Sequence, residues 1–232
     1  MSLPSKLGPL RLDRSRHAAP QVFEHLRALI LSLELAPGTV LSRGELAEQF
    51  GLSQTPIRDA LIRLGEEGLV DIFPQHATVV SRINVTAAQQ AHFLRRSIEL
   101  EVVRALAEKN DDRVVAELRA LIERQEGAIR LQDYEGFIAS DQAFHRHMYE
   151  AAGVPDLWDL VRRMSGHVDR LRRLHLPVAG KVEAVVRDHA RILDAIAGGA
   201  PQAAQDALRQ HLSGTLSQVE EIRSRFPDYV TG

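Results

Sequence analysis

Residues 35–74 read LAPGTVLSRGELAEQFGLSQTPIRDALIRLGEEGLVDIFP, and this stretch decides the fold of the N-terminal third. Ala36-Pro37-Gly38 sets two breakers together and marks a turn. Ser42 followed three residues later by Glu45 is a capping box, opening a short helix that runs through Phe50 and ends at Gly51. Ser53-Gln54-Thr55-Pro56 opens the next helix, because proline suits the first helical position behind a polar cap. Ile57, Leu61 and Leu64 form its buried stripe and Gly68 stops it. Upstream, Val22, Leu26, Leu29, Ile30 and Leu33 recur at helical spacing. Downstream, Leu69–Phe73 and Thr78–Ser81 read as short strands joined by Pro74-Gln75-His76-Ala77. The order of helix, short helix, turn, helix and hairpin predicts a winged helix-turn-helix. Its second helix places Gln54, Thr55 and Arg58 at the end that, in such motifs, enters the major groove of DNA. The same pattern also admits a protein-interaction fold in which those side chains are merely solvated.

Composition sets the frame around this stretch. The chain has 232 residues, a formal net charge of −2, no cysteine and ten histidines. Without cysteine there is no disulfide framework and no thiolate metal site. No apolar run approaches the ~18 residues needed to span a bilayer. The start, MSLPSKLGPLRLDRSRH, lacks the uncharged apolar core of a secretory signal, which points to the cytoplasm. Residues 1–16, with Lys6, Arg11, Arg14 and Arg16, read as a flexible, mildly basic arm. Residues 1–82 carry nine basic and nine acidic residues, so DNA binding would rest on a few placed side chains, not on bulk charge.

The APG turn, the S-x-x-E-L-A box, the S-x-T-P-I-R-x-A-L helix and the L-x-x-x-G-L-V exit resemble the N-terminal domain of the GntR family of bacterial transcription regulators, over residues 17–82. The resemblance implies that Thr55 and Arg58 hold phosphates or bases and that His76 lies at the wing tip. Arg43 and Gln54 complete the implied DNA-binding set, and the partner is a palindromic operator bound by a homodimer. Two residues depart from the family pattern. Gln54 stands where Arg is usual; Arg pairs best with guanine and Gln with adenine, so a changed base preference is expected. Ala77 stands where Gly is usual, and a wing turn needing positive φ would be altered in shape.

After a connector at 83–86 the remainder reads as six helices, an antiparallel bundle. Apolar spacing outlines helices through Ala91–Ala105 and Val114–Ile122, from the Asp133 cap to Ala151, through Leu157–Leu171 and Val178–Ala197, and from Pro201 to about Arg225. Asn110-Asp111-Asp112 and Asp133 act as breaks and caps. In the third helix Asp141 and His145 are four apart and share a face with Ile138 and Met148. His189 follows Val185 and Val186, and His211 lies between Leu208 and Leu212 above Thr215 and Leu216, each on an apolar stripe. Any one of them alone reads as a hydrogen-bonded core histidine. Four buried polar groups would each cost about 1–3 kcal/mol unpaired, and a shared divalent ion would satisfy all of them. FLRRSIELEVVRALAE, DQAFHRHMYEAAG and VRDHARILDAIAGGAPQAAQDALRQHL resemble the FCD ligand-binding domain of FadR-type GntR regulators over about residues 87–226. Metal-binding members carry an Asp and a His on one helix and one His on each of two later helices, which implies Asp141, His145, His189 and His211 as ligands. Zn is the first expectation, with Ni or Mn admitted. His167 and His175 remain as possible cavity residues.

Arg95 lies where the family often keeps a cavity-facing Arg, which implies a small organic-acid effector gripped by its guanidinium. The competing reading is a surface pair with Glu99, four residues on. The expectation is thus a mainly α protein, a winged helix-turn-helix followed by an FCD-like bundle, acting as a metal-containing, effector-responsive regulator and probable repressor with no enzymatic role. Two alternatives stay open: a metal-dependent hydrolase with a DNA-binding appendage, and a regulator whose metal is purely structural.

Overall fold

The computed structural model describes Leu7, Leu10, Leu12, Asp13 and residues 15–232, apart from Gln75, Ala179 and Thr215. The expected roles of Lys6, Arg11 and Arg14 in the arm therefore lie outside the described residues, as do the positions of Gln75 in the wing turn and Thr215 below His211. The chain divides into two compact units. The first comprises residues 1–88, 164–174 and 219–232; the second comprises 89–163 and 175–218.

The first unit is built on α1 (Ala18–Leu31), α2 (Arg43–Phe50), α3 (Gln54–Glu66) and the antiparallel hairpin β1 (Val70–Phe73) and β2 (Ala77–Val80). Ser42 caps α2 as expected, its side chain accepting from Glu45 N, and Gly51 closes that helix in the left-handed conformation. Val22, Leu26, Ile30, Leu46, Ile57, Leu61 and Leu64 interlock as one buried core. Leu7 and Leu10 pack against this core, and Gln21 holds Asp13 through both the Asp13 N–H and its carbonyl, so part of the arm is anchored. Ala77 begins β2 opposite Phe73, an extended position that needs no positive φ.

The chain from 81 to 85 is more than a connector. It forms β3 (Ile83–Asn84), which pairs in parallel with β4 (Val230–Thr231) at the C-terminus. Arg82 reinforces the pair through the carbonyls of Pro227 and Val230.

The second unit is helical: α4 (Val85–Lys109), from Gln89 onward, followed by α5 (Asp112–Arg130), α6 (Tyr134–Ala151), α7 (Pro155–Met164), α9 (Lys181–Ala197) and α10 (Pro201–Ser213). Asp111 caps α5 and Asp133 caps α6, each side chain accepting a backbone N–H of the first turn. Val103, Leu118, Phe144, Met148, Ile192 and Leu208 lie in its core.

Two helices expected as single pieces are broken. The fourth stops at Met164, and α8 (Gly166–His175) starts anew. Ser165 Oγ bonds Asp169 Oδ2 at 2.6 Å in the first turn of α8. A Cβ on Gly166 would stand 2.6 Å from Leu69 Cδ2, so only glycine allows α8 to lie this close to the winged helix-turn-helix core. The sixth helix ends at Ser213, before Gly214, and resumes as α11 (Val219–Arg225). Both α8 from Gly166 to Leu174 and α11 group with the first unit, although their sequence positions fall in the span expected to be one helical domain. Arg170 of α8 is fully buried; it donates to Ser81 O at 2.7 Å and to Ser81 Oγ at 3.1 Å. His167, one of the two possible cavity residues, belongs to this unit instead, its Nδ1 accepting from Asn84 N at 3.1 Å.

Candidate functional site

In the second unit three histidines from three helices converge. His145 on α6, His189 on α9 and His211 on α10 offer ring nitrogens that lie within 4.8 Å of one another. His211 Nε2 stands 3.3 Å from His189 Nε2 and 3.2 Å from His145 Nε2. The helical period explains the placement. Phe137, Asp141, Phe144, His145 and Met148 form one buried ladder on α6, while Val185, Val186, His189, Ile192 and Leu193 do the same on α9. Phe144 stacks on the His189 ring at 4.3 Å between centroids.

The far side of each ring fixes its chemistry. His189 Nδ1 lies 2.8 Å from Gln125 Oε1, and Gln125 in turn donates to Ser140 O at 3.4 Å. His145 Nδ1 lies 3.1 Å from Glu99 Oε2. His211 Nδ1 lies 3.8 Å from Asp188 Oδ2, an electrostatic distance beyond hydrogen-bond length. Burial, aided by Arg95, pushes His145 down to about 4 despite the opposing pull of Glu99 and Asp141, so the ring is neutral at physiological pH. Burial pushes Glu99 the other way, but Arg95 and His145 outweigh it and hold the carboxyl well below the usual carboxylate range. His189 Nδ1 is paired with Gln125, and His145 Nδ1 faces Glu99 Oε2 without hydrogen-bond alignment; a proton on each Nδ1 leaves lone pairs on the Nε2 atoms of His189 and His145. His211 Nε2 can donate a proton to only one of them. At least one buried lone pair then faces another nitrogen, a conflict that a cation resolves. Nitrogen donors with oriented rear hydrogen bonds are the ordinary setting of a divalent transition metal.

Asp141, the fourth expected ligand, is buried beside the trio, with Oδ1 3.7 Å from His189 Nε2. It is adjacent to the tight cluster of three. Arg95 donates from Nε to Glu99 Oε1 at 2.7 Å. The pair is the i,i+4 ion pair considered from sequence, but it is buried instead of lying on the surface: the side chains are 10% and 0% exposed. Glu99, Gln125 and Asp188 were not singled out as site residues. Gln125 left a trace, since it occupies a buried position on the α5 stripe with Val114, Leu118, Ile122 and Ala128. Glu99 entered only as a surface partner of Arg95 and Asp188 not at all, because the histidines they face lie on other helices.

In the first unit a cleft of about 580 Å³ is lined by Arg43, Gln54, Arg58 and His76, with Ile72 and Phe73 from β1. The four polar residues come from α2, α3 and the wing and are all exposed, as is Thr55 beside them. The five residues expected from sequence thus share one solvent-facing region built by the helix-turn-helix and its hairpin.

Fold and site together define a two-part regulator, a winged helix-turn-helix joined to a helical unit that brings three histidines together. The model described as "Bacterial regulatory proteins, gntR family" matches residues 18–80, and the FCD domain model matches residues 90–214. The chain is 40% identical over 207 residues to an HTH-type transcriptional regulator in an unstable DNA locus of Streptomyces ambofaciens, covering 89% of this chain and 87% of that one. It is 29% identical over 219 residues to the HTH-type transcriptional repressor RspR of Escherichia coli K12, covering 94% and 96%. Among solved structures, E. coli McbR/YncC superposes with a TM-score of 0.74 at 21% identity, covering 91% of this chain and 99% of that one. A GntR transcriptional regulator from Rhodococcus sp. RHA1 superposes at 0.71 with 21% identity, covering 88% and 97%. The chain belongs to the GntR family of bacterial transcription regulators, with an FCD domain. It is a DNA-binding regulator of transcription, and the hydrolase alternative is set aside because its relatives are regulators, not enzymes. Among the described residues no helix is long and apolar enough to cross a membrane.

Proposed function

We propose that this protein is a cytoplasmic repressor that binds a palindromic operator as a homodimer, and that a divalent ion and a small carboxylate set its DNA affinity. The observation that carries the ion is the convergence of three Nε2 atoms, two of them on buried rings, with acceptors behind His145 and His189. His145, His189 and His211 hold the ion, with Asp141 as the fourth ligand. Zn is the first choice and Ni or Mn fit the same donors. The ion supplies the positive charge that the three lone pairs lack, and it can present a coordination position to an anion. Arg95, with Glu99 engaged on Nε, has four further N–H donors for an effector carboxylate. In the first unit Gln54, Thr55 and Arg58 read and hold the operator from the start of α3, while Arg43 and His76 contact its backbone from either side. Similarity to a named repressor supports the sign of regulation.

A second reading has a specific observation in its favour. Arg95 is already paired with Glu99 in a buried setting, which suits an ion that is purely structural and a helical unit that takes no small molecule. Fluorescence anisotropy of an operator duplex, recovered by selection from random DNA, separates the two. The regulatory reading expects a monocarboxylate panel with Zn to change operator affinity by at least several-fold, and expects Arg95→Ala to lose that response. No response to any carboxylate, with chelation lowering only the melting temperature, supports the structural ion.

A further inference from the structure

Glu99 touches both a proposed metal ligand and Arg95, and it uses a different oxygen for each. Oε1 accepts from Arg95 Nε at 2.7 Å and lies 3.4 Å from Tyr149 Oη, while Oε2 faces His145 Nδ1 at 3.1 Å. Glu99 is fully buried, and Arg95, His145 and Tyr149 are buried with it. Arg95 is a donor only, so the oxygen it holds is committed. The second oxygen can then only accept, and the ring nitrogen facing it must carry the proton.

We infer that Glu99 is a positioning residue that selects the tautomer of His145, and that Arg95 fixes which carboxylate oxygen does so. Nδ1 donates to Oε2, the proton is excluded from Nε2, and the Nε2 lone pair is aimed at the ion before the ion arrives. The inference rests on the metal reading above and adds a mechanism to it. An imidazole in the other tautomer would present N–H to the cluster and could not ligate without first moving its proton.

The arrangement makes an unusual demand on one substitution. A glutamine at this position has one acceptor and one donor end. Arg95 takes the acceptor, so the amide NH₂ turns to His145 Nδ1 and forces the proton onto Nε2. Glu99→Gln, nearly isosteric, therefore inverts the tautomer. Removing Arg95 as well frees the amide to turn, so its oxygen can again accept from Nδ1.

The test is Zn affinity by competition with a chromophoric chelator, for wild type, Glu99→Gln and the double variant Arg95→Met/Glu99→Gln, with ring-nitrogen NMR of the metal-free proteins and circular dichroism for folding. Glu99→Gln is expected to weaken Zn binding about 10–100-fold, the usual effect of losing an outer-shell partner, and the double variant to recover most of that loss. The metal-free wild type should carry the His145 proton on Nδ1 and Glu99→Gln should carry it on Nε2. Equal Zn affinity in wild type and Glu99→Gln, or a double variant as weak as the single one, overturns the inference. Should Glu99→Gln fail to fold, the wild-type spectrum decides: a proton on Nδ1 supports the inference and one on Nε2 overturns it. A wild type that takes up no Zn overturns the metal reading and this inference together, whereas Zn uptake indifferent to Glu99 overturns only the inference.

Discussion

Acid should destabilise the metal-free helical unit through His145, and the size of the effect can be worked out. Burial first, and Arg95 second, lower this ring from about 6.5 to about 4. The unfolded chain therefore binds a proton that the folded chain refuses between those two values. The His145 contribution to stability is complete above pH 6.5 and is lost as pH falls toward 4. At pH 5 the linkage relation gives a loss of about 2 kcal/mol for this one group, and the full shift corresponds to about 3 kcal/mol. For a unit of this size 2 kcal/mol is a fall of about 8 °C in melting temperature. Trp158, the one tryptophan of the chain, lies in this unit beside Tyr149, so its fluorescence follows the unit's melting. The assay is thermal unfolding at pH 7.5 and pH 5 with a chelator present, for wild type and for His145→Asn, which lacks the titrating ring. The difference between the two acid-induced losses isolates His145, since the other titrating groups are common to both proteins. Wild type should lose about 2 kcal/mol more than the variant. Equal losses would refute the argument that a buried neutral imidazole underlies the site.

Three further outcomes follow from single contacts. Gln54→Arg should move base preference from adenine toward guanine at one step of each half-site in selection from random DNA, worth about 1–3 kcal/mol; an unchanged selected sequence would count against Gln54 as a base reader. Asp133→Ala removes the side chain that accepts from Gly136 N at 2.9 Å, and chemical denaturation should show a loss of about 1 kcal/mol with operator binding intact. Gly166→Ala drives a methyl to 2.6 Å from Leu69 Cδ2, where Leu69 is fully buried, and should destabilise the first unit by about 1–3 kcal/mol in hydrogen exchange of β1 and β2.

The parts of the fold governed by local rules were legible in the sequence. The Ser42–Glu45 box and the Asp111 and Asp133 caps act within a few residues, and those helix starts appear where they put them, whereas α3 starts at Gln54, two residues before the proline expected at its first position. The breaks at Ser165 and Gly214 were missed because an apolar stripe runs across both. Beside the first, Gly166 lies against Leu69, almost a hundred positions away, and no periodicity carries that contact. The β3–β4 pair is hidden for the same reason: each strand is two residues long and its partner lies at the other end of the chain. At the site, helical period put His145, His189 and His211 inward, and the resemblance to FCD domains grouped them. The acceptors behind their rings were not legible, since Glu99 and Asp188 look like ordinary solvated acids beside Arg95 and Arg191. Arg170 reads as one more charge in a basic stretch, yet it is wholly buried against Ser81.

The most direct test of the account is the zinc content of the tag-free protein after equilibrium dialysis against buffered Zn, measured by inductively coupled plasma mass spectrometry. The geometry of the three histidines predicts about one zinc ion per chain for wild type, and little or none at the same free Zn for His211→Ala, whose ring bridges the other two. A wild-type protein that holds no zinc, nickel or manganese, or a His211→Ala variant that retains the full complement, would contradict it.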